Sequence, residues 1–517
     1  LPELEPDAHW QSKFAVVHHP ICMTHRKVRN KPNVVKDTVL EDLCKTEFPE
    51  ANWEYGVALP SLEASFIDYQ KCSVDFDKCK RLDPKLIRKA CDFVVYLMSP
   101  AIPKKCDLIS LSEAITLVDK NTSPGFPCSA IAPTKGEFMS GKSKAHRRQR
   151  SGREREQRTA PNIELLVNRL RQGGWTFYSV STKEELRLLE KLKADNVRTF
   201  VPGSLDECLL GIESSYEFDR QLCDAPLQQP ITIGICLYYG QWDEFQKKQR
   251  FPMWSTDSPK WDGHYLPLFV WVCAYVQMAF SYARVWATLF HVARLLECGM
   301  RVFGNGITIF QKGTMPSGSQ RTITWNSIAK LFVLILFFVQ QGLSLQTIQE
   351  VVDINVHGDN LRYGVREDFR DRLNPSQLNA WLDEIHWPVY AVPYDVIPKS
   401  PPIVTYISHV SVQLNGKWVP IHETPMKLVC SIILGADREV PEGMSKESYH
   451  LSRFWQITNI LFPDTPLWLR LVRVGEQYER MFDQKCRHDK SWRDAKAQRK
   501  SEAALVLFFT MPKGYFY

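Results

Sequence analysis

Long apolar runs are scarce in this 517-residue chain. The two that stand out are YLPLFVWVCAYVQMAF (265–280) and LFVLILFFVQ (331–340). Both fall short of the roughly 20 residues that cross a bilayer, so each reads as a buried helix. Cysteine clustering is absent too. The 14 cysteines are scattered, and the closest pair, Cys72 and Cys79, has no CxxC-type spacing. That excludes a zinc site built from closely spaced cysteine and histidine, and reads as reduced thiols of a cytosolic compartment. No basic segment followed by an apolar one opens the chain, so no signal peptide is read. Leu1 stands where an initiator methionine would, which leaves open a proteolytic product, such as a polyprotein piece, or an artificial boundary. No internal repeat stands out. Net charge is only +7, a mild excess that permits a polyanionic partner without requiring one.

What is present is ordinary globular material. Hydrophobic residues make up 44% and charged residues 24%, which argues against global disorder. The length calls for two to four domains or subdomains. LSEAITLVD (111–119) reads as a helix leading into the rigid loop KNTSPGFPCS (120–129). GKSKAHRRQRSGREREQR (141–158) carries eight Lys or Arg against two Glu, either a solvated helix face or a surface for phosphates. STKEELRLLEKLK (181–193) has a capping-box pattern and reads as a helix, turning extended at VRTFVPG (197–203). One or two helices are expected over 264–298 and one long buried helix over 322–342, ending at Gly342. GITIFQKGTMPSGS (306–319) reads as a hairpin or loop, and 403–418 as strands with Asn-Gly at a turn. After about 440 the pattern is helical and basic.

Three short stretches carry chemistry. WSTDSPKWDGHY (254–265) places Asp257 at the end of a strand-like run and Asp262 five residues on. A carboxylate at a strand end can bind a hard cation through oxygen; the plain alternative is an Asp-rich turn. PSGSQRTITWN (316–326) feeds a loop into a helix on which Thr322 and Asn326 share a face, with helix capping as the plain alternative. VHGDNLRYG (356–364) reads as a hairpin whose turn holds Asp359 and Asn360.

In that order, D-x4-D, SG-x4-T-x3-N and GD in a hairpin, these stretches resemble motifs A, B and C of RNA-dependent RNA polymerases of positive-strand RNA viruses, nearest to the picornavirus- and calicivirus-like group. KNTSPGFP resembles motif G, KEELRLLEKLKADNVR motif F, AVPYDVIPK motif D and VTYISH (404–409) motif E. The resemblance covers about residues 120 to 410. It implies an α+β right hand: fingers over 1–204 and 268–312, palm over 205–267 and 313–405 around a small antiparallel sheet, and a helical thumb over 406–517. It implies two divalent ions, Mg²⁺ or Mn²⁺, held by Asp257, Asp359 and, in a supporting role, Asn360. Asp262, Thr322 and Asn326 would read the ribose 2′-hydroxyl, with Ser317 beside the nucleotide. Lys183, Arg187, Lys191 and Arg198 would hold the triphosphate, and Lys399 would act as general acid toward pyrophosphate. Thr122, Ser123, Gly125, Pro127 and Gly318 would line the template path. The basic run 141–158 then tilts toward the fingers, and His357 stands where the family has an aromatic residue. Expected partners are template and nascent RNA, nucleoside triphosphates and other replicase proteins, in the host cytoplasm.

The family's positive-strand members mostly carry Gly-Asp-Asp where this chain has Gly-Asp-Asn. An amide offers an uncharged oxygen, so a weaker second ion or a preference for Mn²⁺ is expected. Two other readings compete. A reverse transcriptase shares the palm but carries a bulky aromatic at the position of Asp262. A polymerase-like RNA-binding or scaffold protein with impaired catalysis would explain Asn360 as decay.

Overall fold

The computed structural model describes residues 37–50, 54–58, 78–141, 162–194, 196–303, 308–390, 405–434 and 440–512, with the short pieces 15–17, 61, 64–65, 68 and 392–393. Lys399, nearly all of the basic run 141–158 and most of AVPYDVIPK lie outside the described residues. Along the chain come helix α1 (Thr38–Glu47), strand β1 (Leu186–Leu188), helix α2 (Leu205–Asp224) and strand β2 (Met253–Asp257). Helices α3 (Pro267–Ala279), α4 (Ala283–Glu297) and α5 (Thr322–Gln340) follow. Strands β3 (Val352–His357), β4 (Asn360–Val365) and β5 (Val392–Pro393) come next, then helices α6 (Lys446–Ile460) and α7 (Thr465–Cys486).

The largest core is built around α5. Every residue from Leu331 to Val339 is apolar and buried. By length and composition α5 could cross a membrane, but it is enclosed by protein. α3 and β3–β4 pack into the same core. Above it lies an antiparallel sheet in the order β3-β4-β2-β5. The β3–β4 hairpin closes at Gly358, which has φ +62°, a conformation glycine adopts without strain. β3 is held from its other side as well: Val356 N–H donates to Pro230 O at 2.8 Å, and Thr232 N–H to Val356 O at 2.9 Å.

A second core joins α1 to α6, α7 and the helix Pro425–Leu434, with Leu40, Cys44 and Phe48 inserted among their apolar faces. Arg470 and Arg473 of α7 pair with Glu47, and Tyr478 Oη donates to Asp37 at 2.6 Å. An N-terminal helix is thus built into the C-terminal helical layer.

The α+β class, the long helix at 322, the pair α3–α4 and the helical C-terminal part agree with the sequence reading. The strands His409–Leu414 and Lys417–His422 pair as expected, with Asn415 and Gly416 both at positive φ as a tight hairpin turn needs. One expectation fails. Ser181–Thr182 and Leu186–Leu188 are strands, and only Leu189–Lys193 is helical. β1 pairs with the strand Tyr55–Val57, Arg187 opposite Gly56. The Thr182 hydroxyl is tied to Ser61 O at 3.0 Å, so it caps no helix. These long-range bonds outweigh a local capping pattern.

Candidate nucleotidyl-transfer site

The carboxylates at the sheet edge come from two paired strands. Leu361 of β4 is opposite Thr256 of β2, so one step along Asp257 faces Asn360. Asp359 sits in the adjoining turn. On the other side of Asp257, Val392 of β5 completes the sheet. The turn is fixed from below by α5: Gly358 N–H donates to Ser327 Oγ at 2.7 Å.

Burial raises the Asp257 pKa above its ordinary value, and the charge of Asp359 raises it further; the Ser258 N–H, Lys330 and Arg198 oppose this. Two carboxylates that repel each other at one sheet edge call for a cation. Their oxygen donors suit a hard divalent ion. Among the described residues no three His, Cys, Asp or Glu cluster, so such an ion would complete its shell from amide, water or substrate oxygens. Asn360 Nδ2 donates to Asp359 Oδ1 at 3.3 Å, so the amide supports the acid beside it.

Asp262 follows β2 in the short helical turn Trp261–His264. Asn326 of α5 donates Nδ2 to Asp262 Oδ1 at 2.7 Å. Burial pushes the Asp262 pKa up to about 6; the Asn326 bond lowers it, Asp359 raises it, and Arg198 and Lys183 lower it. Asn326 Oδ1 is buried with no hydrogen-bond partner, an acceptor awaiting a donor. Thr322 is one turn away, and its hydroxyl donates to Pro316 O and Ser319 O, at 2.8 and 2.9 Å. Of the expected trio, then, the structure joins Asp262 and Asn326 directly and leaves Thr322 bonded to its own loop.

The loop before α5 is clamped to the segment after β1. Ser317 Oγ accepts from Val201 N–H at 3.2 Å, and Gly318 N–H donates to Val201 O at 3.1 Å. A Cβ on Gly318 would lie 2.7 Å from Pro202 Cα, so close approach demands glycine there. Gly125 is at φ +70°, packed against Gly203, and Leu205 N–H donates to Pro124 O at 2.8 Å. Thr122, Ser123 and Pro127 of the same loop are exposed.

The basic residues divide. Lys183 and Arg198 are exposed and both reach Glu185, at 3.2 and 3.7 Å, while their fields also act on Asp262. Arg187 lies half-buried in β1 with Nη1 lacking a hydrogen-bond partner. Lys191 is exposed on the short helix that follows. His357 is held against Thr232 O, and burial lowers its pKa.

Residues 101–380, more than half of the chain, match the family described as viral RNA-dependent RNA polymerase. The chain belongs to that family. The genome polyprotein of ryegrass mosaic virus (Danish isolate) is 23% identical over 53% of the chain and 9% of the polyprotein. That of watermelon mosaic virus II (isolate USA) is 22% identical over 60% of the chain and 30% of the polyprotein. That of Ornithogalum mosaic virus is 35% identical over 20% of the chain and 9% of the polyprotein. The chain thus spans less than a third of the length of each. Among solved structures, the Sicinivirus 3Dpol RNA-dependent RNA polymerase superposes with a TM-score of 0.70 at 14% identity, covering 90% of this chain and 94% of that one. This likeness shows the fold, the right hand of the positive-strand viral polymerases.

Sequence reasoning missed several buried residues that support the candidate site. Lys330 is buried on α5 and donates Nζ to Ser258 Oγ, which in turn donates to Tyr390 O. Ser327 holds the Asp359 turn. Glu207 of α2 accepts from Ser319 at 2.7 Å, and burial pushes its pKa up to about 7. A lone lysine within an apolar helix was the available signal for Lys330. Glu207 and Ser319 are 112 residues apart and left none.

Proposed function

We propose that this polymerase copies an RNA template into RNA from ribonucleoside triphosphates by two-metal phosphoryl transfer, replicating a viral RNA genome. The observation that carries this reading is the convergence of Asp257 and Asp359 at one sheet edge, next to the Asp262–Asn326 pair. Divalent ions, when bound, supply positive charge at the attacking and leaving oxygens of an in-line displacement. Asp257 and Asp359 hold them, and Asn360 supports Asp359.

Asp262 and Asn326 read the ribose. A 2′-hydroxyl donating to Asn326 Oδ1 would satisfy a buried acceptor that a deoxyribose leaves orphaned. Thr322 and Ser317 shape the loop beside them. Lys183 and Arg198 release Glu185 to hold the triphosphate, joined by Arg187 and Lys191. Lys399 donates the proton to the leaving pyrophosphate. Thr122, Ser123, Gly125, Pro127 and Gly318 border the template. Residues 1–204 and 268–312 act as fingers, 205–267 and 313–405 as palm and 406–517 as thumb, with α1 crossing to the thumb. The setting is a replication complex in the host cytoplasm with other replicase proteins.

Primer extension on an RNA template tests this, with NTPs or dNTPs, in Mg²⁺ or Mn²⁺, beside Asp359→Ala. Ribonucleotide-dependent extension that disappears in the variant is expected. RNA binding without extension in either metal would instead favour a binding or scaffold role.

A further inference from the structure

Where Asn326 points depends on how α5 is turned about its own axis, and a second set of polar bonds fixes that turn. At about 3.6 residues per turn, Arg321, Thr324 and Trp325 fall on the side of the helix opposite Asn326. Each is tied to a neighbouring helix. Arg321, just before α5, donates Nη2 to Asp219 Oδ2 of α2 at 2.9 Å. Thr324 Oγ1 donates to the other oxygen of the same carboxylate, also at 2.9 Å. Trp325 Nε1 donates to Gln277 Oε1 of α3 at 3.1 Å, and Gln277 Nε2 passes the link to Ser214 O of α2 at 3.1 Å. Packing alone does not call for the ion pair. The Arg321 side chain is fully buried, while that of Asp219 is 25% exposed. Arg321 Nε and Nη1 are buried with no hydrogen-bond partner. A buried charge with unmet donors is costly, and an apolar side chain of similar length would fill the space at less cost. What the pair supplies is direction, because one carboxylate grips two side chains within one turn of α5.

We propose that the Asp219–Arg321 ion pair determines sugar specificity by position: it holds α5 in the rotation that presents Asn326 Oδ1 to the 2′-hydroxyl of the incoming nucleotide. This rests on reading Asn326 as the residue that senses the ribose. Both members of the pair are positioning residues, acting on the substrate only through Asn326. A small rotation of α5 moves Asn326 Oδ1 and strains its bond to Asp262. Asp257 ends β2, and Asp359 sits in the turn of the paired strands β3 and β4, so sugar choice is lost before phosphoryl transfer.

Single-nucleotide incorporation by the full chain tests this, comparing kcat/KM for an NTP and its dNTP on one RNA primer and template. Asp219→Asn keeps an acceptor for Thr324 and removes the charge that grips Arg321. Its preference for the NTP is expected to fall about tenfold, with the loss in NTP use. Arg321→Met is expected to show the same fall, and Arg321→Lys, which keeps a charge for Asp219, a smaller one. If Arg321→Met does not fold, Asp219→Asn carries the test, since its side chain is partly exposed. In an Asn326→Ala background, Asp219→Asn is expected to change the preference no further, because the group it positions is gone. An unchanged preference in Asp219→Asn, or equal losses with both sugars, overturns the proposal, because a merely structural pair would lower both together. A further fall in the Asn326→Ala background overturns it as well. Wild type that makes no RNA, or that uses both sugars alike, would instead overturn the reading on which it rests.

Discussion

The two halves of α5 share one helix and one core but differ in what they face. Thr322, Asn326, Ser327 and Lys330 in the first half bond to the loop before the helix, to Asp262, to the Asp359 turn and to Ser258. Leu331 to Val339 in the second half are all apolar and buried in the largest core. The rear half is a rod set in the core, and the front half uses that rigidity to hold polar groups at fixed positions. Stability and chemistry are therefore separable along a single helix.

A change in the rear half gives the largest effect that should leave chemistry alone. Phe332 is fully buried, edge-on to Phe269 at 6.4 Å. Phe332→Ala is expected to cost about 3–5 kcal/mol, read by chemical denaturation, with nucleotide selectivity of the folded enzyme unchanged. Altered selectivity with little loss of stability would break the division.

The loop leading into the front half adds a pH dependence. Burial raises the Glu207 pKa to about 7 from 4.5, so the folded state holds a proton that the unfolded state releases. Stability from this group is present below about 4.5 and is lost as pH rises through about 7. Glu207→Gln keeps an acceptor for Ser319 and removes the titration. Its melting temperature should fall less than that of wild type between pH 5 and 7.5; parallel profiles would contradict the assignment. A smaller effect belongs to Ser327→Ala, which leaves the buried Gly358 N–H without its partner. A loss of about 1–3 kcal/mol is expected, with faster amide exchange confined to the β3–β4 turn. Protection unchanged at Gly358 would remove Ser327 from the support of Asp359.

Legibility in the sequence followed the range of the interactions. The hairpin at 352–365 and the long helix at 322 are set by local pattern and turn chemistry, and both could be read directly. The stretch 181–188 could not, because a capping pattern there competes with a strand partner more than 120 residues away. The pairing of Asp257 with Asp359 came from motif order, not from anything within either segment. The Asp262–Asn326 bond follows from the same order. Lys330 was visible as a charge in an apolar run, but its partners Ser258 and Trp261 lie in the turn after β2, and Glu207 gave no sign at all.

The central claim is that the face of α5 reads ribose beside the paired acids, and single-nucleotide incorporation tests it most directly. Wild type and Asn326→Ala would each be given one NTP or its dNTP opposite the same template base. The account expects wild type to favour the NTP strongly and the variant to lose about 10- to 100-fold of that preference, the cost of leaving a buried acceptor unpaired by a deoxyribose. Equal use of both sugars by wild type, or full discrimination by the variant, would contradict it.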